Sequence, residues 1–337
     1  MFNNLTNFLF MFILMLGSII SISSNSWLGA WMGLEINLLS FIPLLTNFKT
    51  TTSTESSLKY FIVQALASTT LLFVVLLLSF NQKFFIEYNI YLNIMLNSAL
   101  LMKMGAAPFH SWFPEVMEGL SWMMSFILMT WQKIAPMMLI SYCLSYNFIY
   151  FIIIICILIG SIGGFNQTNL RSLMAYSSIN HLGWMLSSLM ISLTYWLIYF
   201  LFYSILSLSI ISLFNQLNIF YFNQIFSSLN NLPIMKFSLF CNFLSLGGLP
   251  PFTGFLPKWI IIQNLATVNI SLVVMMVVLT LITLFFYIRL TYSAFMINST
   301  QILWNFSYPV NLTNLSTLLN FFSLFGLTLI TFLFMIL

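Results

Sequence analysis

Charge is what this chain has least of. Of 337 residues, nine are basic and five acidic, 4% in all, against 61% hydrophobic. A soluble domain carries roughly 25% charged residues, so water cannot be the solvent for most of this surface. Lipid must be, and in lipid each spanning segment satisfies its own backbone, as a helix or within a closed barrel. Barrels are written in ~10-residue alternating segments; the apolar runs here are longer and do not alternate. The net charge of +4 is scattered, with no basic run, which argues against a nucleic-acid partner. The three cysteines, Cys143, Cys156 and Cys241, form no CxxC pair and sit in apolar runs. They read as small buried hydrophobes, not as ligands of zinc or an iron–sulfur cluster. No glycine loop follows a strand to cradle phosphate: Gly160-Ser-Ile-Gly-Gly164 ends a helical run. An Arg-rich presequence and a cleavage site are also missing. With the abundance of Phe, Ile, Asn and Met, this points to synthesis inside an organelle.

What is there is helix-length apolar sequence. A span takes ~20 mostly apolar residues, and eleven can be placed: 3–22, 26–45, 58–80, 90–107, 121–142, 147–165, 171–190, 194–216, 238–262, 270–292 and 318–336. The expected fold is an all-α integral membrane protein of about 11 transmembrane helices, one polytopic domain over 1–337. The connections are short, except the polar 293–317, which is expected at a surface. Basic residues orient such a protein. Connections after even-numbered spans hold Lys49, Lys59, Arg171, Lys236 and Arg289, and those after odd-numbered spans only Lys83. This puts the N-terminus inside and the C-terminus outside.

Ionisable groups inside a membrane are costly and usually line an ion path or a polar cavity. Six are candidates: Glu35 in the second span, Lys103 late in the fourth, His110 after it, Lys133 in the fifth, His181 in the seventh and Lys258 in the ninth. Each also has a bland reading. Lys103 and Lys258 can snorkel to an interface, which Lys133 is too deep to do. Glu35 can be a structural hydrogen bonder, and the two histidines can be satisfied polar neighbours. Arg171 and Arg289, at span ends, read as interface anchors.

Two of the lysines lie in segments that resist helix. In Trp131-Gln-Lys-Ile-Ala-Pro136 a proline follows Lys133 by one turn and removes a backbone bond. Ser245-Leu-Gly-Gly-Leu-Pro-Pro-Phe-Thr-Gly-Phe-Leu-Pro-Lys258 cannot be helical throughout. Broken helices at membrane depth are tolerated where protein or water meets the freed groups, and in transporters they line ion sites. Burial disfavours a charged lysine, so a buried lysine can release its proton where arginine cannot. A carboxylate on a neighbouring helix makes that release switchable.

Three segments carry a resemblance to a known family. Lys103-Met-Gly-Ala-Ala-Pro-Phe-His-Ser-Trp-Phe-Pro-Glu-Val-Met-Glu-Gly119, Arg171-Ser-Leu-Met-Ala-Tyr-Ser-Ser-Ile-Asn-His-Leu-Gly183 and Gly247–Lys258 resemble, in order, segments of the antiporter-like subunits of respiratory complex I, the NADH:ubiquinone oxidoreductase. The chain is shorter than most members and is similar to the animal mitochondrial form that lacks the first three family helices. The resemblance implies an antiporter-like fold with two broken helices and inverted repeats, in the mitochondrial inner membrane. The N-terminus would then face the matrix and the C-terminus the intermembrane space. It implies proton translocation along a midplane axis, coupled to electron transfer from NADH to ubiquinone. Glu35 would pair with Lys103, Lys133 would be the central carrier, and Lys258 would deliver protons outward. His110 and His181 would link these sites. The implied partners are other membrane-arm subunits and lipids. FMN, iron–sulfur clusters, NADH and ubiquinone would be handled by other subunits, with no cofactor bound by this chain. The alternatives are an Mrp-type cation/proton antiporter subunit, or a structural membrane-arm subunit without its own proton path.

Overall fold

The computed structural model describes residues 5–46, 50–81, 86–229 and 233–296, together with 317, 320–324 and 326. It is built almost wholly of helices and divides into two compact units, Met1–Cys156 and Ile157–Leu337.

The first unit holds α1 (Leu5–Ser23), α2 (Trp27–Leu45), α3 (Thr51–Asn81), α4 (Ile86–Met104), α5 (Trp112–Gly119), α6 (Trp122–Met129) and α7 (Trp131–Tyr142). Ser26 starts α2 by accepting the Gly29 amide on its hydroxyl, 3.2 Å, which satisfies one of the orphan donors of the first turn. α1 and α2 meet through small residues. A β-carbon on Gly33 would stand 2.5 Å from the Ser21 nitrogen, so the backbones touch as close-packed membrane helices do. α3 is 31 residues long. At 1.5 Å per residue it is ~46 Å in length, well beyond a hydrocarbon core of ~30 Å. Its polar first turns, Thr51 to Lys59, therefore project past the lipid. There Lys59 pairs with Glu115 of α5 at 2.8 Å, with both side chains more than half exposed.

The chain passes through α8 (Tyr146–Gly163) into the second unit, with α9 (Leu170–Ile191), α10 (Leu193–Leu217), α11 (Phe222–Leu229), α12 (Pro233–Gly247), α13 (Phe255–Ala266) and α14 (Ile270–Met296). α9 buries 18 of its 22 residues, which makes it the core of this unit. Its serines are compatible with that position. The hydroxyls of Ser177, Ser178, Ser187 and Ser188 each donate to the carbonyl three residues back at 2.7 Å. Arg171 stacks on Phe220, 4.7 Å from the ring centre. Arg289 donates to the Phe165 carbonyl at 2.8 Å. Both anchor element ends. Asn242 of α12 donates to Asn320 at 2.8 Å and accepts from the Ser323 hydroxyl, so residues 320–324 pack on the broken region. The cysteines Cys143, Cys156 and Cys241 are all buried.

Seven of the described helical segments are long and apolar enough to cross a membrane: Leu5–Ser23, Trp27–Leu45, Thr51–Phe80, Trp122–Tyr142, Tyr146–Gly163, Leu193–Leu217 and Ile270–Tyr292. They match seven of the eleven predicted spans. The fourth and ninth predicted spans are represented by shorter apolar helices, Ile90–Met104 and Ile234–Gly247. The seventh is α9, too polar to qualify by composition because protein surrounds it. Most of the eleventh, the 293–317 connection after Met296, and the orienting residues Lys49 and Lys83 lie outside the described residues. The fifth predicted span is interrupted at Thr130, between α6 and α7. The break thus precedes Lys133, and Pro136 is carried inside α7. The ninth is interrupted between Gly247 and Phe255, over the glycine- and proline-rich stretch.

Candidate functional site

In the first unit the site begins where α4 ends. Gly105 takes a left-handed φ of 70°. Its amide donates to Met102 O, and the Ala106 amide to Leu101 O, at 3.2 and 3.1 Å. This pattern closes a helix end and favours glycine. It turns the chain so that Phe113 of α5 lies against Gly105, where a β-carbon would meet the Phe113 β-carbon at 3.0 Å. The ring so placed is the floor for Lys133, whose Nζ stands 5.2 Å from its centre. Lys133 is 1% exposed, so its ammonium does not reach lipid headgroups. His110 lies in the turn ahead of α5, half-buried, its Nδ1 3.2 Å from the Pro108 carbonyl.

Lys103 is buried and lines a small polar pocket with Asn37, Tyr60, Gln64, Gln132 and Pro136 among others. Its backbone is held by Gln64, whose amide donates to the Lys103 carbonyl at 3.0 Å. Gln132, next to Lys133, donates to Asn37 Oδ1 at 2.9 Å. Asn37 lies on α2 two positions after Glu35. Glu35 is half-buried and acts electrostatically on Lys103 without closing a direct ion pair. The carriers of Glu35, Lys103 and Lys133 therefore meet around one polar cavity.

In the second unit α12 ends as α4 does. Gly248 has φ 87°. Its amide donates to Leu244 O and Ser245 O, and the Leu249 amide to Leu244 O, at 3.1, 3.0 and 3.3 Å. The last carbonyls of a helix lack intrahelical partners, and here Lys258 supplies one. Its Nζ donates to Gly247 O at 2.9 Å and Leu246 O at 3.1 Å. A β-carbon on Gly248 would stand 3.0 Å from that Nζ, so the glycine also leaves room for the ammonium. Trp184 of α9 lies 6.0 Å from the same Nζ. His181, one turn before Trp184, is 5% exposed, and its Nδ1 is 2.7 Å from the Tyr199 hydroxyl of α10.

Lys133 and Lys258 each occupy the first turn of a half-helix. The positive end of the helix dipole disfavours a cation there, by ~0.3–1 kcal/mol at exposed sites. Both ammoniums are also buried, so each positive charge sits where burial and the dipole oppose it. Of the six residues singled out in the sequence, Glu35, Lys103 and Lys133 gather in the first unit, with His110 nearby on the Lys103–Phe113 turn. His181 and Lys258 gather in the second. Sequence reasoning missed Asn37, Gln64 and Gln132, polar residues inside apolar helices whose cost alone was a signal. It also missed Tyr199, which an aromatic-rich helix conceals.

Residues 24–283 match the family model described as NADH:quinone oxidoreductase/Mrp antiporter, TM. The chain is 54% identical to the NADH-ubiquinone oxidoreductase chain 2 of Anopheles gambiae, over 98% of this chain and 99% of that one. It is 38% identical to the protein of that name from Lemur catta, over 91% and 92%. Among solved structures, a chain of respiratory complex I from Thermus thermophilus superimposes with a TM-score of 0.82 at 20% identity, over 96% of this chain and 79% of that one. A chain of the Mrp complex from Dietzia sp. gives 0.71 at 18% identity, over 85% and 59%. At those identities the likeness is one of fold.

Proposed function

Because the chain belongs to the NADH-ubiquinone oxidoreductase chain 2 family, within the NADH:quinone oxidoreductase/Mrp antiporter membrane proteins, we propose that it translocates protons as a core membrane-arm subunit of complex I. The observation that carries this is the pair of lysines buried in the first turn of a half-helix, Lys133 at 1% exposure and Lys258 at 6%. Charge there is expensive, and a packing role would be served as well by methionine. In this reading Glu35 modulates Lys103, which exchanges with Lys133, while Lys258 exchanges on the second side. His110 and His181 link the lysines. The residues of this chain hold and move protons. Electron transfer from NADH to ubiquinone, with its FMN and iron–sulfur clusters, belongs to other subunits.

The finer reading is an inner-membrane protein of eleven spans with inverted repeats, one membrane domain without the first three family helices. The N-terminus lies on the matrix side and the C-terminus in the intermembrane space. Neighbouring antiporter-like and small mitochondrially encoded subunits shield its flanks.

Lys133→Met in the assembled complex tests the central claim. Methionine keeps most of the packing and binds no proton. Proton transfer should fall at least tenfold and ubiquinone reduction with it, while NADH oxidation by an artificial hydrophilic acceptor persists. Full pumping by the Met variant removes Lys133 from the path.

A further inference from the structure

Two amides bridge helices in the wall of the pocket that Lys103 lines. Asn37 of α2 is 3% exposed, and its Oδ1 lies 2.9 Å from Nε2 of Gln132 on α7. Turning both amides over exchanges donor and acceptor and keeps the bond, so the bridge holds under either assignment. Polar groups are costly at membrane depth, and two leucines would pack the same helices without that cost.

What the bridge joins gives it a use. Its α2 end is a fixed anchor. A β-carbon on Gly17 would come 2.9 Å from the Asn37 nitrogen, so α1 and α2 touch there and the Asn37 backbone cannot shift without moving α1. Glu35 rides two positions earlier on the same helix. The other end is the first turn of α7. The helix is interrupted at Thr130, so its regular bonding does not pass the setting of α6 on to α7. Successive residues of a helix point about 100° apart. Holding Gln132 therefore also fixes the direction in which its neighbour Lys133 leaves the helix, the direction that sets Nζ 5.2 Å from the centre of the Phe113 ring. Gln64 of α3 plays a matching part for Lys103, holding its carbonyl at 3.0 Å. Proton exchange needs hydrogen-bond reach, directly or through one water, so a small rotation of α7 would break it.

Resting on the reading of Lys133 as a proton carrier, we propose that Asn37 and Gln132 are its positioning residues, their bridge pinning the first turn of α7 to α2 so that Lys133 stays within exchange reach of the pocket that Lys103 lines.

All variants are made in the assembled complex and read as the rate of proton transfer per complex, beside the amount assembled on a native gel. Gln132→Leu, similar in size but unable to bridge, should lower transfer about fivefold with assembly largely kept, the worth of one hydrogen bond. The exchange of Asn37→Gln with Gln132→Asn keeps the total length of the bridge and should recover at least half of that loss. Gln132→Leu added to Lys133→Met should be no worse than Lys133→Met alone, because one residue acts through the other. Full transfer by Lys133→Met overturns the carrier reading itself, and the proposal with it. An impaired Lys133→Met beside an unimpaired Gln132→Leu overturns the proposal and leaves that reading standing. An exchanged pair no better than Gln132→Leu, or losses that add in the double variant, assigns the bridge to helix adhesion and also overturns the proposal. If Gln132→Leu does not assemble, the exchanged pair decides: near-normal transfer supports the proposal, and reduced transfer or failed assembly overturns it.

Discussion

The two broken helices solve one problem differently. Between α12 and α13 the chain leaves helix over several residues, opened by a left-handed glycine, and the carbonyls freed by the break are bonded by Lys258 itself. Between α6 and α7 the interruption is Thr130 alone, whose hydroxyl and amide both donate to Phe126 O at 2.7 and 3.0 Å. Lys133 then stands over the Phe113 ring, supplied by a different helix. One lysine mends the break beside it, while the other is set on an aromatic floor brought in from a turn. A lysine that mends a break is tied to that break, so its replacement costs backbone bonding as well as charge. Helix repair is therefore a role that substitutions can separate from the proposed proton carrying.

The largest effect is expected from Lys133→Arg. Arginine keeps the positive charge and does not release it, so proton transfer should fall about as far as in the Met variant. Near-normal pumping with Arg would mean that fixed charge is enough. Lys258→Met should act on assembly as well as on transfer. It strands the Leu246 and Gly247 carbonyls, at roughly 1–3 kcal/mol for each buried group left unbonded. The amount of assembled complex on a native gel should drop, which is not expected of Lys133→Met. Equal assembly of the two variants would erase the distinction drawn above. Replacing Pro250 and Pro251 together with Ala favours continued helix and should shift Lys258 from its carbonyls. The outcome expected is pumping impaired severalfold with assembly largely kept; unchanged pumping would reduce the long break to a packing feature. Lys59→Gln is the smallest perturbation, since an exposed ion pair contributes ~0–1 kcal/mol. Neither assembly nor pumping should change measurably, and a clear loss would give the Lys59–Glu115 pair a role beyond the surface.

Much of this was legible in the sequence, for physical reasons that differ by element. The long break in the ninth span is written in residues that cannot continue a helix, so Gly247 to Pro257 announced it. The short break was placed by Pro136, but the interruption came earlier, at Thr130. A proline removes one helix bond, to the carbonyl four residues back, and leaves the other bonds of α7 in place. The chain could therefore keep Pro136 in α7. The depth of Lys133 followed from span length, whereas the burial of Lys258, which the sequence left free to snorkel, and the groups both lysines touch did not. Phe113 reaches Lys133 through the fold of a turn, and Asn37 reaches Gln132 across 95 positions of sequence. Such contacts exist only once helices pack. The seventh predicted span coincides with the helix α9, and the reason it tolerates so many serines is the back-bonding of their hydroxyls to its own helix.

That back-bonded helix has a consequence for how the protein is made. α9 buries its whole circumference in protein and is not among the helices apolar enough to cross a membrane on composition. A nascent chain offering α9 to the bilayer by itself would have little to hold it there. Only Ser192 separates it from α10, and that serine's hydroxyl starts α10 by accepting the Tyr195 amide. α10, by contrast, is strongly apolar. The two would enter lipid together as a hairpin, with the apolar member carrying in the polar one. In that case the helix that holds His181 would owe its place in the membrane to the helix that holds Tyr199.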